Sequence, residues 1–191
     1  EENAGCDEYF VGKTVGLGGI KLWDGENEVA VAIGSKRVAN AGDTAEGSFA
    51  EVITYGVPYK ECTVDISLRI DMFSDSRIAQ ITASCISGDS VQFVTGVNYN
   101  DGAKVDIVPG SICVWGTHPA NVSQSPIPIG GGMWYEVELF GEAQMHNNMV
   151  RIISKPAMKI QTMVVSASAK ESEINTYESF KKLIAAQVEY L

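Results

Sequence analysis

Basic residues are scarce: 14 Lys and Arg stand against 24 Asp and Glu, for a formal net charge of −10 over 191 residues. Such a field repels polyanions, and nucleic-acid binders instead gather Lys and Arg on one face, so nucleic acid is not an expected partner. The local exception is Lys36-Arg37, which could hold one carboxylate or sulfate, although a solvated strand end explains the pair as well. Long apolar runs are also missing. Ile127 to Ile129 and Met163 to Val165 fall far short of the roughly 20 residues of a membrane-spanning helix. Cysteine is limited to Cys6, Cys62, Cys85 and Cys113, without a CxxC pair, which disfavours zinc and leaves no metal site to expect. The last three lie in or beside strand-like runs, where a free thiol behaves as a small buried apolar group, so thiols are expected rather than a disulfide framework. The chain lacks an initiator Met and the basic, apolar, small-residue order of a signal peptide, which suggests a processed or excised product. No nucleophile elbow, phosphate loop, dinucleotide fingerprint or HExxH occurs, so no cofactor is implied and a self-sufficient hydrolase or nucleotide enzyme is disfavoured.

What the chain does have is one recurring pattern from Leu17 to Lys170: a short apolar run with period-2 alternation, then a Gly, Asp, Asn or Pro break. The clearest run is Thr63 to Asp71, where Val64, Ile66, Leu68 and Ile70 should be buried together on one face. Arg77 to Ser87 follows as its hairpin partner. The other runs are Gly18 to Trp23, Val29 to Val38, Phe49 to Tyr55, Val91 to Tyr99, Lys104 to Val108, Ile112 to Trp115, Gly132 to Phe140, Met149 to Ser154 and Gln161 to Ala169. Short strands at this spacing, without intervening amphipathic helices, predict an all-β antiparallel sandwich forming a single domain over 1–191. Asp24-Gly25 and Asn100-Asp101-Gly102 are the sharpest turns. A C-terminal helix is predicted over 175–191, with Ile174, Tyr177, Phe180, Leu183 or Ile184, Val188 and Leu191 as its stripe and Asn175 with Glu178 as a capping box.

The candidates for chemistry are aromatic, imidazole and amide groups near loops. Sugars are held by aromatic platforms against their C–H faces and planar polar groups at their hydroxyls. Trp115 and Tyr99 are the candidate platforms, although Trp and Tyr in a sandwich are more often core residues. His118 closes Trp115-Gly116-Thr117-His118-Pro119, a strand end that delivers an imidazole into a loop, and is the candidate for proton transfer, with a surface loop histidine as the plainer reading. Trp115 and His118 are expected to border one surface groove, with Tyr99 near enough to share a sugar ring. His146 reads as a turn residue, and Asp65 with Asp71 and Glu136 with Glu138 as solvated faces. Asn121-Val122-Ser123 fits an N-glycosylation acceptor.

Three groups of segments, Asp7 to Thr14 running into Leu17 to Gly25, Gln92 to Val97, and Val114 to His118, together resemble a family of bacterial proteins of unknown function often encoded with pectin- and other polysaccharide-degrading enzymes. That family is similar to galactose-mutarotase-like and polysaccharide-lyase supersandwiches, which bind sugars on a concave sheet face. The resemblance implies the C-terminal half of a longer protein, a periplasmic or extracellular location, and a carbohydrate partner, with homo-oligomerisation a further option. The leading expectation is a carbohydrate-active domain for an acidic polysaccharide or oligosaccharide, as a lyase in one version. Lyase chemistry needs a base for the proton α to a uronate carboxylate and a cation or amide on that carboxylate, roles for which His118, Lys21 and Asn98 are the candidates. The alternatives are a non-catalytic glycan-binding module and a structural domain whose helix docks on a partner.

Overall fold

A computed structural model describes residues 9–119 and 126–187. Its strands are β1 (Lys21–Trp23), β2 (Glu28–Val29), β3 (Lys36–Asp43), β4 (Gly47–Tyr59), β5 (Cys62–Phe73), β6 (Ala79–Cys85), β7 (Phe93–Asn98), β8 (Lys104–Val108), β9 (Ser111–Thr117), β10 (Pro128–Tyr135), β11 (Gln144–His146), β12 (Met149–Ile153) and β13 (Lys159–Ser168), and they precede the helix α1 (Tyr177–Gln187). They form two antiparallel sheets, one of five strands in the order β11-β12-β7-β1-β2 and one of eight in the order β3-β4-β5-β6-β13-β10-β9-β8. This is the all-β antiparallel sandwich with a C-terminal helix that the alternation predicts.

Between the sheets lies the main core, with Leu22, Val64, Ile66, Ile81, Phe93, Val97, Ile112, Met133, Val150 and Ile152 among its members. The inward face of β5 only partly follows expectation. Val64 and Ile66 are buried, Leu68 is half-buried, and Ile70 is exposed. The physical reason is the mismatch in sheet width: five strands oppose eight, and exposed Val52, Ile70 and Met72 lie toward the β3 edge of the wider sheet. Period-2 alternation predicts a shared face, but a face is buried only where something lies over it.

A second, smaller core sits on the outer side of the eight-stranded sheet, where Cys113, Trp115, Trp134, Val165 and Ala167 meet Phe180 and Ile184 of α1. Glycines weaken a strand interior, so the run Gly130-Gly131-Gly132 in the middle of β10 calls for a reason. A Cβ at Gly130 would lie 2.7 Å from the Phe180 ring, and one at Gly132 would lie 2.2 Å from Ile184 Cδ1. The bare backbone is therefore the floor on which the helix rests. Trp134 Nε1 donates to the Ile184 carbonyl at 2.9 Å and fixes the helix end.

The helix begins later than expected and is capped one residue further on, by Thr176 with Ser179 rather than Asn175 with Glu178. Ser179 N donates to Thr176 Oγ1 at 3.2 Å, and Thr176 N donates to Ser179 Oγ at 3.1 Å. Val188 and Leu191 of the expected stripe lie outside the described residues, as do Cys6 and Asn121-Val122-Ser123. Several strand boundaries also change, and His146, read as a turn residue, ends the short strand β11. The run Val29 to Val38 is broken by a 3-10 turn at Val31–Ile33, and the strand expected to reach Phe140 stops at Tyr135, where the Glu136 carbonyl accepts from Leu139 N and Phe140 N. Cys85 and Cys113 are buried thiols, but Cys62 is exposed, because it opens β5 at the tight Tyr59-to-Cys62 turn rather than facing the core. Burial pushes the Cys113 thiol up to about 12, which leaves it unreactive near neutral pH.

Candidate functional site

The outer face of the five-stranded sheet carries a connected polar assembly. Register places Lys21 and Trp23 of β1, Glu28 of β2, Arg151 of β12 and Gln144 of β11 on this face, opposite in pleat to the core residues Leu22, Val150 and Ile152. Arg151 sits directly across from Gly96 of β7. With no side chain at Gly96, the long guanidinium can lie along the sheet, where Nη1 donates to Glu28 Oε1 at 3.1 Å and Nη2 to Gln144 Oε1 at 3.1 Å. It also stacks 5.2 Å from the Trp23 ring centroid. Lys21 Nζ donates to Glu28 Oε2 at 2.8 Å, so one carboxylate is held between two cations.

Burial alone would raise the Glu28 carboxyl, but the hydrogen bonds and charges of Lys21 and Arg151 prevail and hold it below its ordinary value. Glu28 is thus an ionised anchor rather than a proton donor. A depressed carboxyl contributes stability above its unfolded value of 4.5, and that contribution is lost as pH falls through the lower folded value. Glu28→Gln should therefore destabilise the protein by about 1–2 kcal/mol at neutral pH, and the gap to wild type should close as pH is lowered through the carboxylate range. Parallel thermal melts across that range check this; a gap that stays constant with pH would show that the charge of Glu28 contributes nothing.

Beside this network opens a cleft of about 480 Å³, bordered by Lys21, Glu28, Asn98, Tyr99, Asn100, the hairpin residues Asn147 and Asn148, and the segment 10–14. Asn147 and Asn148 have φ of 47° and 60° between the paired residues His146 and Met149, the two-residue turn that favours Asn. Tyr99 N donates to the Asn148 carbonyl at 2.9 Å, which joins the two strand ends at the rim. Two amide atoms at this cleft, Asn98 Oδ1 and Asn100 Nδ2, are buried without a hydrogen-bond partner. One is an acceptor and the other a donor, and a buried polar atom left unpaired is costly.

Of the five residues expected at the site, Lys21, Asn98 and Tyr99 border this one cleft. His118 stands behind it. Its Nδ1 accepts from Phe10 N at 2.7 Å, Asn98 Nδ2 donates to the Phe10 carbonyl at 2.5 Å, and Lys21 Nζ donates to the Lys13 carbonyl at 2.8 Å. All three side chains thus grip the segment that forms one wall. His118 is buried and packs 4.7 Å from the Tyr9 ring, so it sits neither in a surface loop nor on an open groove. The end of β9 does neighbour the end of β7, as Lys104 pairs with Trp115 just after the Asn100-to-Ala103 turn. The Trp115 side chain, however, points to the opposite side of the eight-stranded sheet, where it is 8% exposed and packs 5.6 Å from Phe180. It shares no face with Tyr99.

Glu28, Arg151, Asn100, Asn147 and Asn148 were not among the expected site residues. A sign was present for one of them: an Arg in the middle of Met149-Val150-Arg151-Ile152-Ile153 has to find a partner. A family model matches residues 1–191, the whole chain. The chain belongs to DUF4861, a domain of unknown function. No curated protein matches it. Among the described residues of this DUF4861 chain, no group of His, Cys, Asp and Glu could hold a metal ion, and no helix is long and apolar enough to cross a membrane.

Proposed function

We propose that this cleft binds a carbohydrate, with an acidic sugar as the favoured ligand, and that it does so as a binding site rather than as a lyase centre. The observation that carries the reading is the pair of buried, unpartnered amide atoms, Asn98 Oδ1 and Asn100 Nδ2, in a cleft of about 480 Å³ that Tyr99 also borders. An acceptor and a donor match adjacent hydroxyls of a sugar ring, and a tyrosine in the lining can meet its C–H face. Lys13 and Lys21 outnumber Glu28 in the lining of the cleft, so its local field favours a carboxylate even though the whole chain carries −10. Binding is favoured over elimination because each group suited to lyase chemistry is already engaged: His118 Nδ1 and Asn98 Nδ2 with Phe10, and Lys21 with Lys13 and Glu28.

Calorimetric titration with uronic-acid oligosaccharides and their neutral counterparts tests this. The acidic ligands should bind more tightly, and Tyr99→Ala should weaken binding about tenfold, the worth of one stacking surface. Trp115→Ala should leave affinity unchanged in the folded protein. Absence of binding to every sugar, or binding indifferent to Tyr99 and Asn100, would overturn the proposal. Growth of absorbance from new C=C bonds would restore the lyase reading.

A further inference from the structure

Sheet edges expose unpaired N–H and C=O groups, and proteins ordinarily blunt them with short strands, charged side chains, proline, bulges or a covering element. The five-stranded sheet does so, since its edges β2 and β11 have two and three residues. The β3 edge of the wider sheet carries charge only near its two ends, at Lys36, Arg37 and Asp43, and none over Val38 to Gly42. β3 has eight residues and no proline, seven of the eight are exposed, and it pairs with β4 in unbroken register from Lys36↔Tyr55 to Asp43↔Ser48. We propose that β3 is a homodimer interface, at which a second copy adds its own β3 antiparallel about a two-fold axis normal to the sheet through Asn40.

The identity of the partner follows from the sequence of the edge. A two-fold axis at Asn40 pairs residues equally distant on either side of it: Arg37 with Asp43 of the copy, Val38 with Gly42, Ala39 with Ala41, and Asn40 with itself. Members of each pair have the same parity along the strand, so their side chains share a face, as antiparallel neighbours must. Among the described residues Arg37 and Asp43 make no ion pair within the chain, and the symmetry gives each of them one partner, so that the pair forms twice. Moving the axis one residue to Ala39 or Ala41 sets Arg37 opposite an alanine and leaves both charges unmatched. Pairing through one eight-residue strand lies at the small end of specific interfaces, so the dimer is weak and concentration-dependent.

Sedimentation velocity of the whole chain over a wide concentration range tests this. Wild type should pass from monomer to dimer as concentration rises. Arg37→Asp should weaken the dimer about tenfold, since two attractive contacts become repulsive. The exchange Arg37→Asp with Asp43→Arg should restore it, which separates loss of the interface from loss of the fold. A wild type that stays monomeric throughout overturns the proposal, as does a dimer that the single reversal leaves intact or the double exchange fails to restore.

Discussion

Replacing Phe180 by Ala should lower the stability of the folded chain by about 3–5 kcal/mol, the range for removing a large aromatic side chain from a well-packed core. Phe180 is fully buried, with its ring against Trp115 at 5.6 Å and directly over the Gly130 backbone. The surrounding groups are poorly placed to fill the space. Gly130 has no side chain to move inward, and Trp134 is held by its bond to the Ile184 carbonyl. A helix of eleven residues is marginal in water by itself, so loosening its central contact should also free α1 from the sheet. Chemical denaturation gives the change in free energy, and the near-ultraviolet signal of Trp115 and Trp134 reports the detachment. A loss under about 1 kcal/mol would mean that the helix contributes little to the fold.

Gly96→Ala should be comparably severe, for a different reason. A Cβ at this position would stand 2.0 Å from the Val150 carbonyl oxygen, and that atom belongs to the paired backbone of β12, which cannot move aside as a side chain would. Gly96 also has a φ of 157°, a value that side-chain-bearing residues rarely adopt. Overpacking and a strained backbone each cost about 1–3 kcal/mol, so a total of roughly 3 kcal/mol or more is expected. Gly102→Ala is the control. It too has a positive φ, at 80°, but a Cβ there meets nothing within 4 Å, so it measures the conformational penalty alone. Equal losses in the two variants would show that the approach of β12 is not what demands glycine at 96. Because Arg151 lies opposite Gly96, the same substitution should also disturb the Arg151–Glu28 pair and weaken binding of an acidic sugar at the cleft.

Much of the strand pattern was legible because alternation is a local property. β5 and β6 pair as the Thr63 to Asp71 run and its neighbour predicted, and the Asn100-Asp101-Gly102 turn closes as expected, with Ala103 N donating to the Asn100 carbonyl at 3.0 Å. Lys21, Asn98 and Tyr99 were picked out by residue type, and that they border a common cleft was not legible in the sequence. Trp115 separated from them because the pleat sends alternate residues to opposite faces, and which of the two faces α1 covers is not a local property. His118 turned inward because the backbone of Phe10, more than a hundred residues earlier in the chain, offers its N–H to the imidazole.

The sequence by itself determined the class of structure, the absence of catalytic signature motifs, and the amphipathic helix, since composition, period and capping chemistry act within a few residues. Only the tertiary structure decided which apolar faces are covered, why three consecutive glycines occupy the middle of β10, and which polar groups meet. Glu28 and Arg151 are 123 residues apart in the chain and 3.1 Å apart in space. Strand order brings them together, and strand order depends on long-range pairing and sheet packing that local periodicity does not encode.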